Sequence, residues 1–148
     1  MSVSVRILDG PLPPRIVDDA IKDVGAVLWF EGIIRRHESG RAITGLKYQT
    51  YDPMAEKQLR SLATRAIEQF GVLGIAVEHS RGFVDAGACS FRLRITSQHR
   101  KEALTAMDWF IDQMKRDVPI WKSPVFVGDG RDQGEPHGRP ANSGIRLT

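Results

Sequence analysis

Hydrophobic and polar positions alternate with period two at the start of the chain. Val3 to Leu8 reads as a strand with one wet face, ended by Asp9-Gly10-Pro11. Apolar positions from Pro13 to Val24 (Ile16, Val17, Ala20, Ile21, Val24) predict a short amphipathic helix closed by Gly25. Ala26 to Arg35 is a run of strand formers, and Gly32 inside it marks a bulge or a close backbone approach. Strand character returns from Ile43 to Tyr51. Asp52 as cap and Pro53 at the first helical position then predict a helix whose apolar face runs from Ala55 to Phe70, with Gly71 as its stop.

Two more alternating segments, Leu73–Ser80 and Ala88–Thr96, flank a connector over residues 81–87. In the second, Phe91, Leu93 and Ile95 share one side and Arg92 and Arg94 the other. A third helix follows, with Ser97 as its expected cap and Ala103, Leu104, Met107, Phe110, Ile111 and Met114 on its expected buried stripe. Val118 before Pro119 ends it near Asp117, and Trp121 and Lys122 fall in the following turn. Residues 125–127 read as one further short strand. The order β-α-β-β-α-β-β-α predicts an α+β single domain over residues 1–127, with a largely antiparallel sheet packed with helices. Residues 128–148, rich in Gly, Pro, Asp and Arg, form a tail with little to bury, expected to be loosely held or ordered by a partner.

Composition narrows the function without naming it. At 41% hydrophobic and 26% charged the chain is ordinary for a globular protein. A net charge of +3 suits acidic ligands, but no basic stripe interleaved with exposed aromatics argues for nucleic acid. The single cysteine, Cys89, excludes an intrachain disulfide and a Cys-rich zinc site. His79, His99 and His137 lack metal-ligand spacing, so no metal is expected. With no leader-like segment and no apolar run near about 18 residues, the expectation is a soluble, cytoplasmic protein without membrane contact.

What remains is a set of cations: Arg35, His99, Arg100, Lys115 and Lys122. His99 and Arg100 sit where a helix dipole favours the opposite charge, an arrangement that an anion would relieve. Lys115 in a last turn either complements the dipole or belongs to a site. Arginine suits forked binding of phosphate or carboxylate, and lysine can move protons. The residues alone reach an anion-handling site with possible lysine acid–base chemistry.

Six segments in order then resemble a known family. Gly25-Ala26-Val27 with Phe30-x-Gly32-x-x-Arg35-x-His37 is similar to the signature strand of the molybdopterin synthase large (catalytic) subunit, the MoaE family. Tyr51-x-x-Met54-Ala55, His79-x-x-Gly82-x-x-x-x-Gly87, Thr96-Ser97-x-His99-Arg100 and Lys115-x-x-x-Pro119-x-Trp121-Lys122 extend the likeness to Lys122. The resemblance implies an α/β-hammerhead type of fold. It also implies an activity: sulfur passes from the thiocarboxylated C-terminus of a small ubiquitin-like carrier to cyclic pyranopterin monophosphate, forming the molybdopterin dithiolene.

By that resemblance Lys115 and Lys122 are catalytic, and Arg35, His99, Arg100, Ile33 and Ile34 bind substrate. Phe30 and Ile111 line the channel for the carrier tail. No cofactor is implied, because the partner thiocarboxylate supplies the sulfur. The chain departs from the family pattern at Pro124, where an acid is usual, at Ile33, where a base is usual, and in a tail without tryptophan. A non-catalytic domain that binds the carrier and a small anion-binding domain are the competing readings. His99 and Lys115 are sixteen residues apart, about 24 Å along one helix. A shared substrate site therefore predicts a homodimer with composite sites, and with the carrier a heterotetramer.

Overall fold

The computed structural model describes residues 2–17, 22–128 and 145–146. Its elements are β1 (Ser2–Asp9), β2 (Ala26–Ile33), β3 (His37–Glu38), β4 (Arg41–Thr50), α1 (Met54–Phe70), β5 (Gly74–Asp85), β6 (Cys89–Ser97), α2 (Arg100–Asp117), β7 (Ile120–Phe126) and β8 (Ile145–Arg146). The strands form one sheet in the order β2-β6-β5-β4-β7-β8, with β1 against β5 and β3 against β4. Every pairing is antiparallel except β1 with β5. The α+β expectation with a largely antiparallel sheet holds.

Both helices cover one face of the sheet, α1 against β1 and β5, α2 against β6 and β2, and they pack on each other. Their apolar stripes meet Ile75, Val77, Leu93 and Ile95 from the strands, all at most 1% exposed. Phe110 of α2 is fully buried in that layer, and truncating such a residue to alanine typically costs about 3–5 kcal/mol. On the other face, as the alternation predicted, Arg92 points away from Leu93 and Ile95. Its guanidinium donates to Glu31 at 2.9 Å and Glu78 at 2.8 Å, and Arg6 joins Glu78 at 2.6 Å.

Several local expectations need correction. Residues 13–17 have no regular structure, so the first predicted helix does not begin at Pro13; residues 18–21 lie outside the described residues. The N-cap of α1 is Pro53, not Asp52. The Asp52 carboxylate instead accepts from Thr50 Oγ1 at 2.9 Å and pairs with Arg81, which also donates to Asp9 at 2.8 Å. An ion pair has taken the carboxylate that capping needed. Gly71 closes α1 in the left-handed region at φ 74°, as expected.

The connector assigned to residues 81–87 is mostly strand, because β5 continues to Asp85 and pairs there with β4. Trp121 and Lys122 are not in a turn either. They lie in β7, which starts at Ile120 directly after the Val118-Pro119 stop and pairs along β4. Of the tail, Ile145–Arg146 is described, and it adds a short strand against Trp121 and Lys122.

Candidate active site

Gly32 marks the point from which the site is built. The β2–β6 register runs Gly32 to Phe91 and then Ile33 to Cys89, so Ser90 is an extra residue on β6. A bulge of this kind bends the strand and re-aims side chains. The glycine signaled the irregularity, although the extra residue sits on the partner strand. Beyond it, Ile33, Ile34 and Arg35 leave the sheet along the wall of a cavity of about 210 Å³.

Residues of α2, β7 and β2 itself form further walls of that cavity. The last turns of α2 supply Ile111, Met114 and Lys115, and Phe30 on β2 stands opposite, 38% exposed. Because α2 stops at Asp117 and the chain reverses through Val118-Pro119, β7 brings Lys122 into the same space. There Lys122 is the register partner of Tyr48 on β4. Both lysines are half-buried. Among the described residues, no carboxylate lies within ion-pair distance of Arg35, Lys115 or Lys122. Three cations without an ion-pair partner among the described residues, in a mostly apolar pocket, can take a carboxylate-like or phosphate-like group and move protons at the amines.

The floor carries residues that sequence reasoning missed as site residues. Tyr48 Oη and Ser90 Oγ are 2.9 Å apart and buried. Burial raises the Tyr48 pKa, against a smaller lowering by the bond to Ser90. His79, 1% exposed, packs edge-on to Tyr48 with ring centroids 5.0 Å apart. Burial lowers its pKa to about 4, only partly opposed by the bond to the Ser80 carbonyl. A polar residue at an inward parity position was the available signal for Tyr48 and His79. For Ser90 the bulge overrides parity, so alternation points the wrong way. Glu38 also lines the cavity.

His99 and Arg100 do not reach this cavity. They line a separate, shallow groove with Gly25 and Gln98 at the opposite end of α2. His99 is the N-cap itself, with no side-chain capping bond, and Arg100 begins the helix. Ser97, expected as the cap, is the buried last residue of β6, with Oγ 3.5 Å from Glu102 Oε2. Glu102 gives the first turn an acid, so the cations there do not oppose the dipole alone. The groove requires Gly25: a Cβ on it would stand 2.0 Å from the Gln98 carbonyl oxygen. The remaining sequence-derived candidates, Phe30, Ile33, Ile34, Arg35, Ile111, Lys115 and Lys122, share the one cavity. Among the described residues no cluster could hold a metal ion, and no helix is long and apolar enough to cross a membrane.

Known proteins resemble this chain in sequence and in fold. A molybdopterin synthase catalytic subunit of Aspergillus fumigatus is 36% identical over 121 residues, which cover 82% of this chain and 64% of that protein. This chain thus spans less than two thirds of that relative. One of Thermoplasma volcanium is 37% identical over 104 residues, 70% of this chain and 76% of that protein. Among solved structures, molybdopterin synthase from Staphylococcus aureus superposes with a TM-score of 0.72 at 27% identity, covering 82% of this chain and 90% of that one. A complex of subunits 1 and 2 of molybdopterin-converting factor from Helicobacter pylori gives 0.69 at 25% identity, covering 89% and 93%. The family model described as MoaE protein matches residues 11–117, and the chain belongs to the MoaE family.

Proposed function

We propose that this chain is the catalytic subunit of a molybdopterin synthase. It transfers sulfur from the thiocarboxylated C-terminus of a small ubiquitin-like carrier to cyclic pyranopterin monophosphate. The observation that carries this reading is the convergence of Lys115, Lys122 and Arg35, without an ion-pair partner among the described residues, in one cavity with apolar walls from Phe30, Ile33 and Ile111. A narrow apolar approach ending at amines suits a flexible peptide tail that bears an anionic terminus. Lys115 is the principal acid–base group, and Lys122 assists and holds the tail. Arg35, Ile33 and Ile34 contact the substrate. The Helicobacter pylori neighbour, a complex of two subunits, supports a carrier partner. No resident cofactor is needed, since the carrier brings the sulfur, and the reaction belongs in the cytoplasm.

His99 and Arg100 join the substrate phosphate in this reading only from a second copy, because α2 runs without a break between the two grooves. The functional unit is then a homodimer with two composite sites, and a heterotetramer with two carriers. The test mixes the protein with a thiocarboxylated carrier and the pterin precursor and assays molybdopterin. Product formation supports the proposal. Carrier binding without product would instead support the non-catalytic domain.

A further inference from the structure

The floor of the cavity holds three polar side chains that the roles above leave unused. Tyr48 and Ser90 together carry two hydroxyl protons, and the bond between them uses one. No acceptor for the other is found among the described residues. His79 Nδ1 lies 2.8 Å from the Ser80 carbonyl. A carbonyl only accepts, so Nδ1 carries the proton and Nε2 is a bare acceptor. It too has no partner among the described residues, although the side chain is 1% exposed. Buried polar groups without partners cost about 1–3 kcal/mol each. One spare donor and one spare acceptor, both on residues lining one cavity, match a single small molecule: water accepts from the hydroxyl and donates to Nε2.

Sulfur transfer from a thiocarboxylate also consumes water. Once the sulfur has bonded to a substrate carbon, the carrier's terminal carbonyl is joined to the substrate as a thioester. Releasing it requires a water oxygen to bond to the carbonyl carbon while the C–S bond breaks. The sulfur departs with the bonding pair as a substrate thiolate, the carrier terminus becomes a carboxylate, and the two water protons pass to deprotonated lysine amine or to solvent. We propose that Tyr48, Ser90 and His79 form a water-holding subsite that positions the hydrolytic water for this release. They are positioning residues. The His79 ring stays neutral at neutral pH and aligns the water without deprotonating it, and the amines of Lys115 and Lys122 in the same cavity supply the base.

The inference rests on the sulfur-transfer reading, and one experiment separates their failures. A single turnover with thiocarboxylated carrier and pterin precursor is quenched at intervals and followed by mass spectrometry. Wild type should give product with no lasting carrier–substrate adduct. Tyr48→Phe, and more strongly Tyr48→Phe with Ser90→Ala, should form the adduct at the wild-type rate. They should clear it about ten- to a hundredfold more slowly, as expected when a reactant loses its alignment. Ser90→Thr, which keeps a hydroxyl, should clear it normally. Wild-type clearance in Tyr48→Phe, or equal slowing of adduct formation and decay, overturns the water subsite and leaves sulfur transfer standing. Neither adduct nor product from wild type overturns both. If the double variant does not fold, Tyr48→Phe decides alone, since it keeps the buried ring.

Discussion

At its C-terminal end α2 delivers Lys115 into a cavity that Lys122 and Arg35 share, whereas at its N-terminal end His99 and Arg100 stand on an exposed groove beside Gly25. Both ends are cationic, but the backbone treats them differently. A cation in the last turn is favoured by the helix dipole by about 0.3–1 kcal/mol, so Lys115 is held without any ligand. A cation at the first turn is disfavoured by a similar amount, and here Glu102 in the same turn offsets it. The C-terminal end is therefore a site complete in its walls. The N-terminal end is two exposed cations on a shallow groove, which the proposed composite site would draw from a second copy.

The largest effect should come from breaking the complete end. Lys115→Ala should lower sulfur transfer by about a hundredfold or more, the usual contribution of a placed acid–base group. Its melting temperature should stay close to wild type, because the lysine is only half-buried. Lys115→Arg should fail nearly as badly, since arginine stays protonated. Near-normal turnover by Lys115→Arg would reduce the residue to a positive charge.

Joining the two ends is the next test. Chains carrying His99→Ala with Arg100→Ala and chains carrying Lys115→Ala should each be inactive. After equal mixing and subunit exchange, half the dimers are mixed and each has one intact composite site, so about a quarter of the activity should return. No recovery after exchange is verified by native mass spectrometry would mean that each site is built within one chain.

The contrast between the ends also explains what was legible in the sequence. Period-two alternation, the Gly71 stop and the Val118-Pro119 break are local signals, and they located both helix ends and most strands. His99, Arg100 and Lys115 could be picked out because charge at a helix end is local, and Arg35 and Lys122 because they follow a strand and a helix stop. Which cations meet is not a local property. Lys122 joins Lys115 only because β7 pairs along β4, a register that a turn reading of Trp121-Lys122 did not contain. Ser97 and Asp52 look like caps, but Ser97 is taken into the end of β6 and buried, and Asp52 is held by the distant Arg81. The floor residues were hidden for the same reason, since Ser90 faces Tyr48 across a bulge that alternation does not encode.

A smaller effect should follow from changing the approach to the complete end while leaving Lys115 in place. Phe30 presents an exposed ring at the cavity mouth, and Lys122 holds the far side. Phe30→Ala removes part of an aromatic contact and Lys122→Glu reverses a charge. Each should weaken carrier binding about tenfold in calorimetry, the loss of about 1.4 kcal/mol. Unchanged affinity in both would exclude entry of the carrier tail by this route.

The smallest effect separates the two ends through their histidines, and it is read in stability. His99 stands exposed at the helix start, whereas His79 is enclosed by the Tyr48 and Phe91 rings with its Nδ1–H on the Ser80 carbonyl. Burial lowers the His79 pKa from 6.5 to about 4. Between those values the unfolded chain binds a proton that the folded chain refuses. Stability is therefore fully present above about pH 6.5, falls as the pH drops below it, and stops falling below about pH 4. From pH 7.5 to 5.5 this one group should lower the unfolding free energy by about 1.4 kcal/mol. Urea unfolding at the two pH values measures the difference. His79→Phe keeps an aromatic ring among Tyr48 and Phe91 but cannot titrate, so its stability should lose that much less over the same interval. An equal acid loss in wild type and His79→Phe would mean that the floor imidazole takes up its proton over the same pH range in the folded protein as in the unfolded chain, and that the cavity floor is wetter than its burial implies.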